Sequence, residues 1–289
     1  MQKGSNKKPV RSPQHQPRPG LEKKMKPLPI FDYPEIKGNS RLKNKIALVS
    51  GGDSGIGKAV AILFAKEGAD IAIAYLNEDK DAKETQLYIE EHYGRQCLLI
   101  KGDLSREANC SNAIKKTIKK FGRIDILVNN AALHYENKSL ESTTTKTLIK
   151  TFETNIFSCF WITKAALPYM KKGSCIINSS SVTAYRGSGS LIDYAAIKGA
   201  IVAFTRSLSS NLAKKNIRVN GVAPGPVWTP LIASSFKPIK VAQHGSDVPM
   251  QRAGEPAEIA PSYLFLASSD SSYMTGQFLH PNGGEIING

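Results

Sequence analysis

Cysteine is scarce in this chain. Its 289 residues hold four, at 97, 110, 159 and 175, and no two make a C-x-x-C pair. An even count is no disulfide argument in a chain this long, and buried thiols in a reducing cytoplasm are the simpler expectation. Histidine is nearly as sparse: the five, at 15, 92, 134, 244 and 280, show no metal-ligand spacing, so no metal is expected. No run of 18 or more apolar residues occurs, and no transmembrane helix is indicated. The opening MQKGSNKKPVRSPQHQPRPG has lysines but no apolar core after them, so a secretory signal is not expected and no membrane partner is implied.

Acidic residues are also in deficit, 24 Asp and Glu against 39 Lys and Arg, for a net charge of +15. The distribution decides what this means. Residues 1–45 hold 12 basic and 3 acidic side chains, a net of +9, which leaves +6 for the other 244 residues. The excess belongs mostly to a tail, so a nucleic-acid partner is not the leading expectation.

That tail, residues 1–42, reads as a basic Pro-rich arm. Seven of the sixteen prolines fall within residues 1–40, and so polar a segment cannot offset its own ordering entropy. It is expected to be extended and ordered only against its own domain or a neighbouring subunit. Leu28-Pro29-Ile30-Phe31, its apolar cluster, is the expected docking point.

Residues 43–289 alternate apolar runs with amphipathic stretches. The runs are Ile46–Ser50, Ile71–Tyr75, Cys97–Lys101, Ile124–Asn129, Cys175–Asn178, Ile217–Val222 and Gln277–His280. Helical patterns follow Ile56, Val60, Leu63 and Phe64, cover Asp79–Tyr93, and recur near 105–121, 144–171, 191–214 and 256–267. Apolar runs without alternation suit strands covered on both faces, and regular alternation with helices suits a parallel sheet. The expected fold is a single-domain, Rossmann-like, doubly wound α/β structure with seven parallel strands flanked by helices. Residues 226–250 break the rhythm with four prolines and form a candidate substrate lid.

The first strand runs into Ser50-Gly51-Gly52-Asp53-Ser54-Gly55-Ile56-Gly57. A dinucleotide pyrophosphate needs backbone N–H groups and a helix N-terminus close by, and a Cβ at the tight positions would hold it away. The spacing of Gly51, Gly55 and Gly57 is G-x-x-x-G-x-G, unlike the G-x-G-x-x-G of larger dehydrogenases or the loop of nucleotide hydrolases. The second strand ends Ala74-Tyr75-Leu76-Asn77-Glu78. With neither an acid at 75 nor an arginine, the choice between NAD and NADP stays open.

Asp193-Tyr194-Ala195-Ala196-Ile197-Lys198 opens a helical stretch. Four residues apart, Tyr194 and Lys198 share a face. A phenol is a poor base at neutral pH, and a nearby ammonium moves it toward the working range. Ser179-Ser180-Ser181 follows the fifth apolar run, at the sheet edge where such folds bind ligands. The Ser181 hydroxyl suits a carbonyl oxygen that gains charge during hydride addition.

Gly51-x-x-x-Gly55-x-Gly57, Asn129-Asn130-Ala131, Asn155, Ser181, Tyr194-x-x-x-Lys198 and Pro224-Gly225 stand in an order and spacing that resembles the short-chain dehydrogenases/reductases. The likeness covers about residues 43–289. The Gly52-Asp53-Ser54 insert and the long arm look most like bacterial general-stress, glucose/ribitol-dehydrogenase-like members. One departure is Ala132, where the family usually has glycine.

The resemblance implies NAD(P)-dependent oxidoreduction of a carbonyl or alcohol. Tyr194 would be the acid/base, and Lys198 would lower its pKa and bind the nicotinamide ribose. Ser181 would orient the carbonyl, and Asn155 would hold a water in a relay toward Lys198. Gly51, Asp53, Ser54, Gly55, Ile56 and Gly57 would cradle the pyrophosphate. Tyr75, Leu76, Asp103 and Leu104 would meet the adenosine, and Asn129 and Ala131 the ribose. Pro224, Gly225, Val227 and Thr229 would meet the nicotinamide end. His134 and His244 are expected near the substrate, and Trp228 either walls that site or packs in the core.

A homo-oligomer, a tetramer by preference, is expected through helices 144–171 and 191–214, as the family implies. The first of these carries surplus apolar side chains at Phe152, Ile156, Phe157, Phe160 and Trp161. Two readings compete with the enzyme: a dinucleotide-sensing regulator without turnover, and an arm that binds nucleic acid or an anionic surface. Sugar, polyol, aldehyde and ketone substrates all remain open.

Overall fold

Residues 7–287 are described by a computed structural model. The first six arm residues and the last two of the chain lie outside the described residues. Seven strands form one parallel sheet in the order β3-β2-β1-β4-β5-β6-β7. They are β1 (Ile46–Ser50), β2 (Asp70–Tyr75), β3 (Cys97–Lys101), β4 (Ile126–Asn129), β5 (Cys175–Ser179), β6 (Arg218–Val222) and β7 (Phe278–Leu279). The strand order reverses direction between β1 and β4, and the crevice beyond the strand ends at such a point is where open α/β sheets bind ligands.

The helices are α1 (Gly55–Lys66), α2 (Asp79–Tyr93), α3 (Glu107–Phe121), α4 (Thr145–Phe152), α5 (Ser158–Ala166), α6 (Thr183–Arg186), α7 (Ile192–Leu212), α8 (Pro230–Ser235), α9 (Pro238–Ala242) and α10 (Pro256–Ala267). Successive strand residues point to opposite faces, so each strand feeds two cores. Ala47, Val49, Ile71 and Ile73 pack in the layer that holds α1 and α10. Leu48, Ala72 and Ala74 pack in the opposite layer with α3 and α5. That two-sided burial is why the strands read as continuous apolar runs.

Two expectations need adjustment. The helix expected over 144–171 is interrupted by a π-helical turn at Glu153–Phe157 and ends in a short 3-10 turn at Leu167–Tyr169. The irregular stretch 226–250 contains α8 and α9, each opened by a proline at its first turn. Proline has no N–H to leave unpaired there, so the residues that hid the helices from a periodicity reading are the ones that start them.

From residue 7 onward the arm lies along its own domain as largely extended chain, with a 3-10 turn at Glu22–Lys24. Its expected docking cluster docks in part: Pro29 is buried, Phe31 packs against the core beside Tyr88, and the Ile30 backbone bonds to Glu255 and Ala257, while the Leu28 and Ile30 side chains are 61% and 45% exposed. Met25, outside the cluster, is 1% exposed and packs with Trp228 and Phe236. Buried polar groups do much of the anchoring. Asp32 accepts hydrogen bonds from Lys66, Tyr88 and Tyr93, and Glu67 accepts the Asn39 and Arg41 backbone N–H groups. The Trp228 indole donates to the Pro27 carbonyl at 2.9 Å, and the Arg11 guanidinium stacks over its ring. Trp228 therefore packs in the core and clamps the arm instead of walling the substrate site.

Candidate active site

Every strand from β3 to β5 delivers side chains to one cleft at the sheet's C-terminal edge. Gly51 follows β1, Tyr75 and Leu76 end β2, and Gly102-Asp103-Leu104 follow β3. Asn130, Ala131 and Leu133 follow β4, and Ser180 follows β5. Together with Asp53, Ser54, Gly55, Ile56, Tyr194, Lys198, Pro224 and Thr229 they line an open cleft of about 1310 Å³.

The turn into α1 is locked by Asn130. Its side chain donates to the Ser50 and Gly51 carbonyls, each at 3.2 Å, while the Ser50 hydroxyl accepts the Asn130 backbone N–H at 2.9 Å. A Cβ on Gly57 would stand 1.9 Å from the Gly51 carbonyl oxygen, so the turn and the first coil of α1 close on each other only because residue 57 is glycine. This tight turn at a helix start, within a cleft that runs on to Tyr194, fits a dinucleotide with its diphosphate at the turn.

The end of the cleft at the tips of β2 and β3 is acidic. Asp53 is buried, and burial together with the Glu78 carboxylate raises its pKa to about 7. The Tyr75 hydroxyl donates to Asp79 at 2.9 Å, and burial raises its pKa to about 12. Asp103 is paired with Lys150 at 2.8 Å; partial burial pushes its carboxyl up, but the hydrogen bonds from Lys150 and Ser105 and the Lys150 charge together outweigh it and hold the carboxyl below the ordinary range.

At the other end, Tyr194 and Lys198 share a face of α7. Lys198 is buried, its Nζ donates to the Ser179 carbonyl at 2.7 Å, and it lies 5.3 Å from the centroid of the Tyr194 ring. Burial pushes its pKa down to about 8. Burial pushes the Tyr194 phenol up, opposed by a hydrogen bond with the Ser181 side chain. Ser181, Gly225 and Val227 line a second cavity that shares Tyr194, Pro224 and Thr229 with the cleft. His244 lies on this second wall. His134 packs edge-on to Tyr194 at 5.0 Å, and burial holds its pKa down to about 3, so the ring is neutral.

Not every expected site residue reaches a cavity. Asn155 is fully buried in the π-helical turn, where its side chain donates to the Leu133 and Thr151 carbonyls at 2.7 Å and accepts the Leu133 N–H at 3.1 Å. All of its amide's contacts thus go to the segment after β4 and to α4. Asn129 lies behind the cleft wall, donating to Asn178 at 2.8 Å and Thr163 at 3.1 Å, so it ties β4 to β5 and α5. Its neighbour Asn130 faces the cleft instead. Lys150 and the arm residues Arg18, Pro19 and Gly20 also line it. No sequence motif points to these four, because their positions are set by tertiary packing alone. Among the described residues, no cluster of ligating side chains suits a metal, no helix is long and apolar enough to cross a membrane, and the four cysteines are free and buried.

Known proteins are similar to this chain in sequence and fold. A family model described as enoyl-(acyl carrier protein) reductase matches residues 51–285. The uncharacterized oxidoreductase YhxC of Bacillus subtilis (strain 168) is 56% identical over 286 residues, 99% of each chain. The glucose and ribitol dehydrogenase of Daucus carota is 50% identical over 277 residues, covering 94% of this chain and 95% of that protein. Among solved structures, a short-chain dehydrogenase of Burkholderia cenocepacia J2315 in complex with NADP superposes with a TM-score of 0.80 at 30% identity, over 84% of this chain and 98% of that one.

Proposed function

The chain belongs to the short-chain dehydrogenase/reductase family, close to its glucose/ribitol-dehydrogenase-like and general-stress members, and is an NAD(P)-dependent oxidoreductase acting on a CH–OH or carbonyl group; from that premise we propose that Ser181, Tyr194, Lys198 and Asn155 carry its reaction. The observation that supports this most directly is the Tyr194 side chain. It neighbours Ser181 on the cavity wall, is backed by the Lys198 ammonium, and is placed where the dinucleotide cleft meets the second cavity.

When bound, a dinucleotide, NAD or NADP, would supply or accept the hydride. In carbonyl reduction the Tyr194 hydroxyl gives its proton to the substrate oxygen, and in alcohol oxidation the phenolate takes that proton back. The Ser181 hydroxyl donates to the same oxygen and stabilises its developing charge. Lys198 stabilises the phenolate electrostatically and holds the nicotinamide ribose. Asn155 acts as a positioning residue, fixing the segment after β4 against α4. The remaining cofactor contacts are the glycine turn from Gly51 to Gly57, Tyr75, Leu76, Asp103 and Leu104 at the adenosine end, and Pro224, Gly225, Val227 and Thr229 at the nicotinamide end. Asn129 and Ala131 back the ribose.

The substrate lies in the second cavity under the segment 226–250, which serves as its lid. Ser181, Thr183, Ser188, Ser190 and Gln243 give that wall many hydroxyl and amide groups, which suits a small hydroxylated carbonyl compound, a sugar or a polyol. The enzyme is a cytoplasmic homo-oligomer, a tetramer by preference. Ile149, Phe157 and Phe160 on the α4–α5 face are 51%, 43% and 50% exposed, an apolar surface suited to a second subunit. Residues 1–42 form an arm, whose described part from residue 7 acts as a strap on the domain that begins at residue 43.

The test is oxidation of NADH and NADPH with a panel of sugars, aliphatic aldehydes and ketones, and reduction of both oxidised cofactors with polyols. Turnover that collapses in Tyr194→Phe supports the assignment. Turnover indifferent to that change moves the chemistry elsewhere, and tight cofactor binding without turnover on any substrate favours a dinucleotide sensor.

A further inference from the structure

The arm does more than cover the domain, because part of it forms the rim of the cleft. Residues 16–22 run from α8 to α1. The Gln16 N–H donates to the Ala233 carbonyl at 3.0 Å, and the Ser234 hydroxyl donates to the Pro19 carbonyl at 2.9 Å. At the far end, Glu22 accepts the Gly55 N–H at 2.7 Å and is paired with Lys58 at 2.6 Å. Between these anchors the backbone runs so close to α8 that a Cβ on Gly20 would meet the Pro230 carbonyl oxygen at 2.7 Å.

Arg18 leaves this strap on the α8 side and crosses to the opposite wall. Its guanidinium donates to the His134 carbonyl at 3.2 Å and lies 4.4 Å from the Tyr135 ring centroid, in the segment after β4. Two walls of the cleft are thus joined by one exposed side chain. Its charge is uncommitted. Among the described residues Arg18 pairs with no carboxylate, whereas Lys150 pairs with Asp103 and Lys58, beside the glycine turn, pairs with Glu22. The arm takes one N–H and one cation from the turn through Glu22 and brings a cation of its own to the cleft mouth.

Resting on the reading of this cleft as the dinucleotide site, we infer that Arg18 is a dinucleotide-binding residue supplied by the N-terminal arm, its guanidinium pairing with the diphosphate across the open side of the cleft. A planar guanidinium suits phosphate oxygens, and its present contacts are a carbonyl and a ring face, both of which tolerate a shift of the head group. Cofactor affinity then depends on the order of the arm, and release of the arm opens the cleft.

Calorimetric titration of the full-length protein with ADP-ribose, which carries the diphosphate without the reactive ring, tests this apart from activity. Arg18→Gln keeps an amide donor for the His134 carbonyl and loses the charge, and Arg18→Lys keeps the charge. The expected result is about tenfold weaker binding for R18Q, a shallower dependence of affinity on salt, partial recovery in R18K, and a melting temperature equal to wild type. Unchanged affinity in R18Q would overturn the inference. So would a loss with the wild-type salt dependence, since that marks a residue acting only through arm packing. A wild-type protein that binds no ADP-ribose would bring down the reading of the cleft as well.

Discussion

Lys198 places its ammonium 5.3 Å from the centre of the Tyr194 ring and fixes it there by donating to the Ser179 carbonyl at 2.7 Å. One helical turn separates the two residues, so helix geometry sets the spacing and the strand end sets the angle. Tyr194→Phe removes the proton-carrying oxygen and leaves the ring and its packing on His134. The expected outcome is a fall in kcat of about 10²- to 10⁴-fold, with ADP-ribose affinity unchanged. Steady-state kinetics and calorimetry on the same preparation check it, and a loss confined to KM would contradict the assigned role.

The pH profile should carry the mark of Lys198. Burial brings its pKa to about 8, so the ammonium begins to lose its proton little above neutrality. Carbonyl reduction needs that cation beside Tyr194, and its rate is expected to decline above about pH 8. In Lys198→Arg the guanidinium keeps its charge throughout this range. Its rate will be lower, because the fork does not reproduce the ammonium's contacts, but its alkaline limb should move upward. A limb at the same pH in both proteins would assign the titration to another group.

Much of this site is legible in the sequence, and the exceptions share a cause. Gly51, Gly57, Tyr194 and Lys198 act through local geometry, a tight turn or one helical face, and local geometry is what spacing encodes. Ser181 is legible because it follows a strand end. Asn155 is legible as a motif position, but its contacts with Leu133 and Thr151 depend on a π-helical turn that no periodicity in residues 144–171 signals. Asn129 and Asn130 show how fine the limit is. Side-chain alternation along β4 decides which one faces the cleft, and it puts Asn129 in the interior with Asn178 and Thr163. Arg18 and Lys150 had no signal at all, since a long-range path brings them to the cleft. Among the strands, only terminal residues differ from expectation: β2 begins at Asp70, β4 at Ile126 and β6 at Arg218, β5 runs on to Ser179, and β7 is reduced to Phe278–Leu279.

The arm should prove part of the folded domain and not an appendage. Asp32 and Lys66 form a pair whose side chains are each 5% exposed, with Tyr88 and Tyr93 also donating to the carboxylate. Asp32→Ala strands the Lys66 ammonium in a site it cannot leave without unpacking the arm. Removing one member of a buried pair costs about 3–5 kcal/mol. Urea denaturation should show a loss of that order, and limited proteolysis should cut the arm first. Asp32→Asn, which still accepts hydrogen bonds, should lose less. Stability equal to wild type in Asp32→Ala would mean that the arm is held elsewhere.

His134 gives the fold an acid-sensitive point. The ring is buried against Tyr194 and Phe236, and its Nδ1 has no hydrogen-bond partner. Desolvation, aided by the nearby Arg18, holds its pKa down to about 3, against 6.5 for an unburied imidazole. Between these values the unfolded chain takes up a proton that the folded chain refuses, so stability is complete above about pH 6.5 and is lost as the pH falls toward 3. By pH 5 the loss from this residue amounts to about 2 kcal/mol. Asp53 works in the opposite sense. Its folded pKa of about 7 lies above the carboxylate's usual 3.8, so its contribution falls as the pH rises between those values. The two partly offset in the wild-type curve, and the difference between wild type and His134→Phe isolates the histidine. Phenylalanine fills the ring space and cannot be protonated, so the variant's stability relative to wild type should rise as the pH is lowered from 7 to 5. A pH-independent difference would show that His134 takes up its proton in the folded state without penalty, and the acid limb would then belong to the carboxylates.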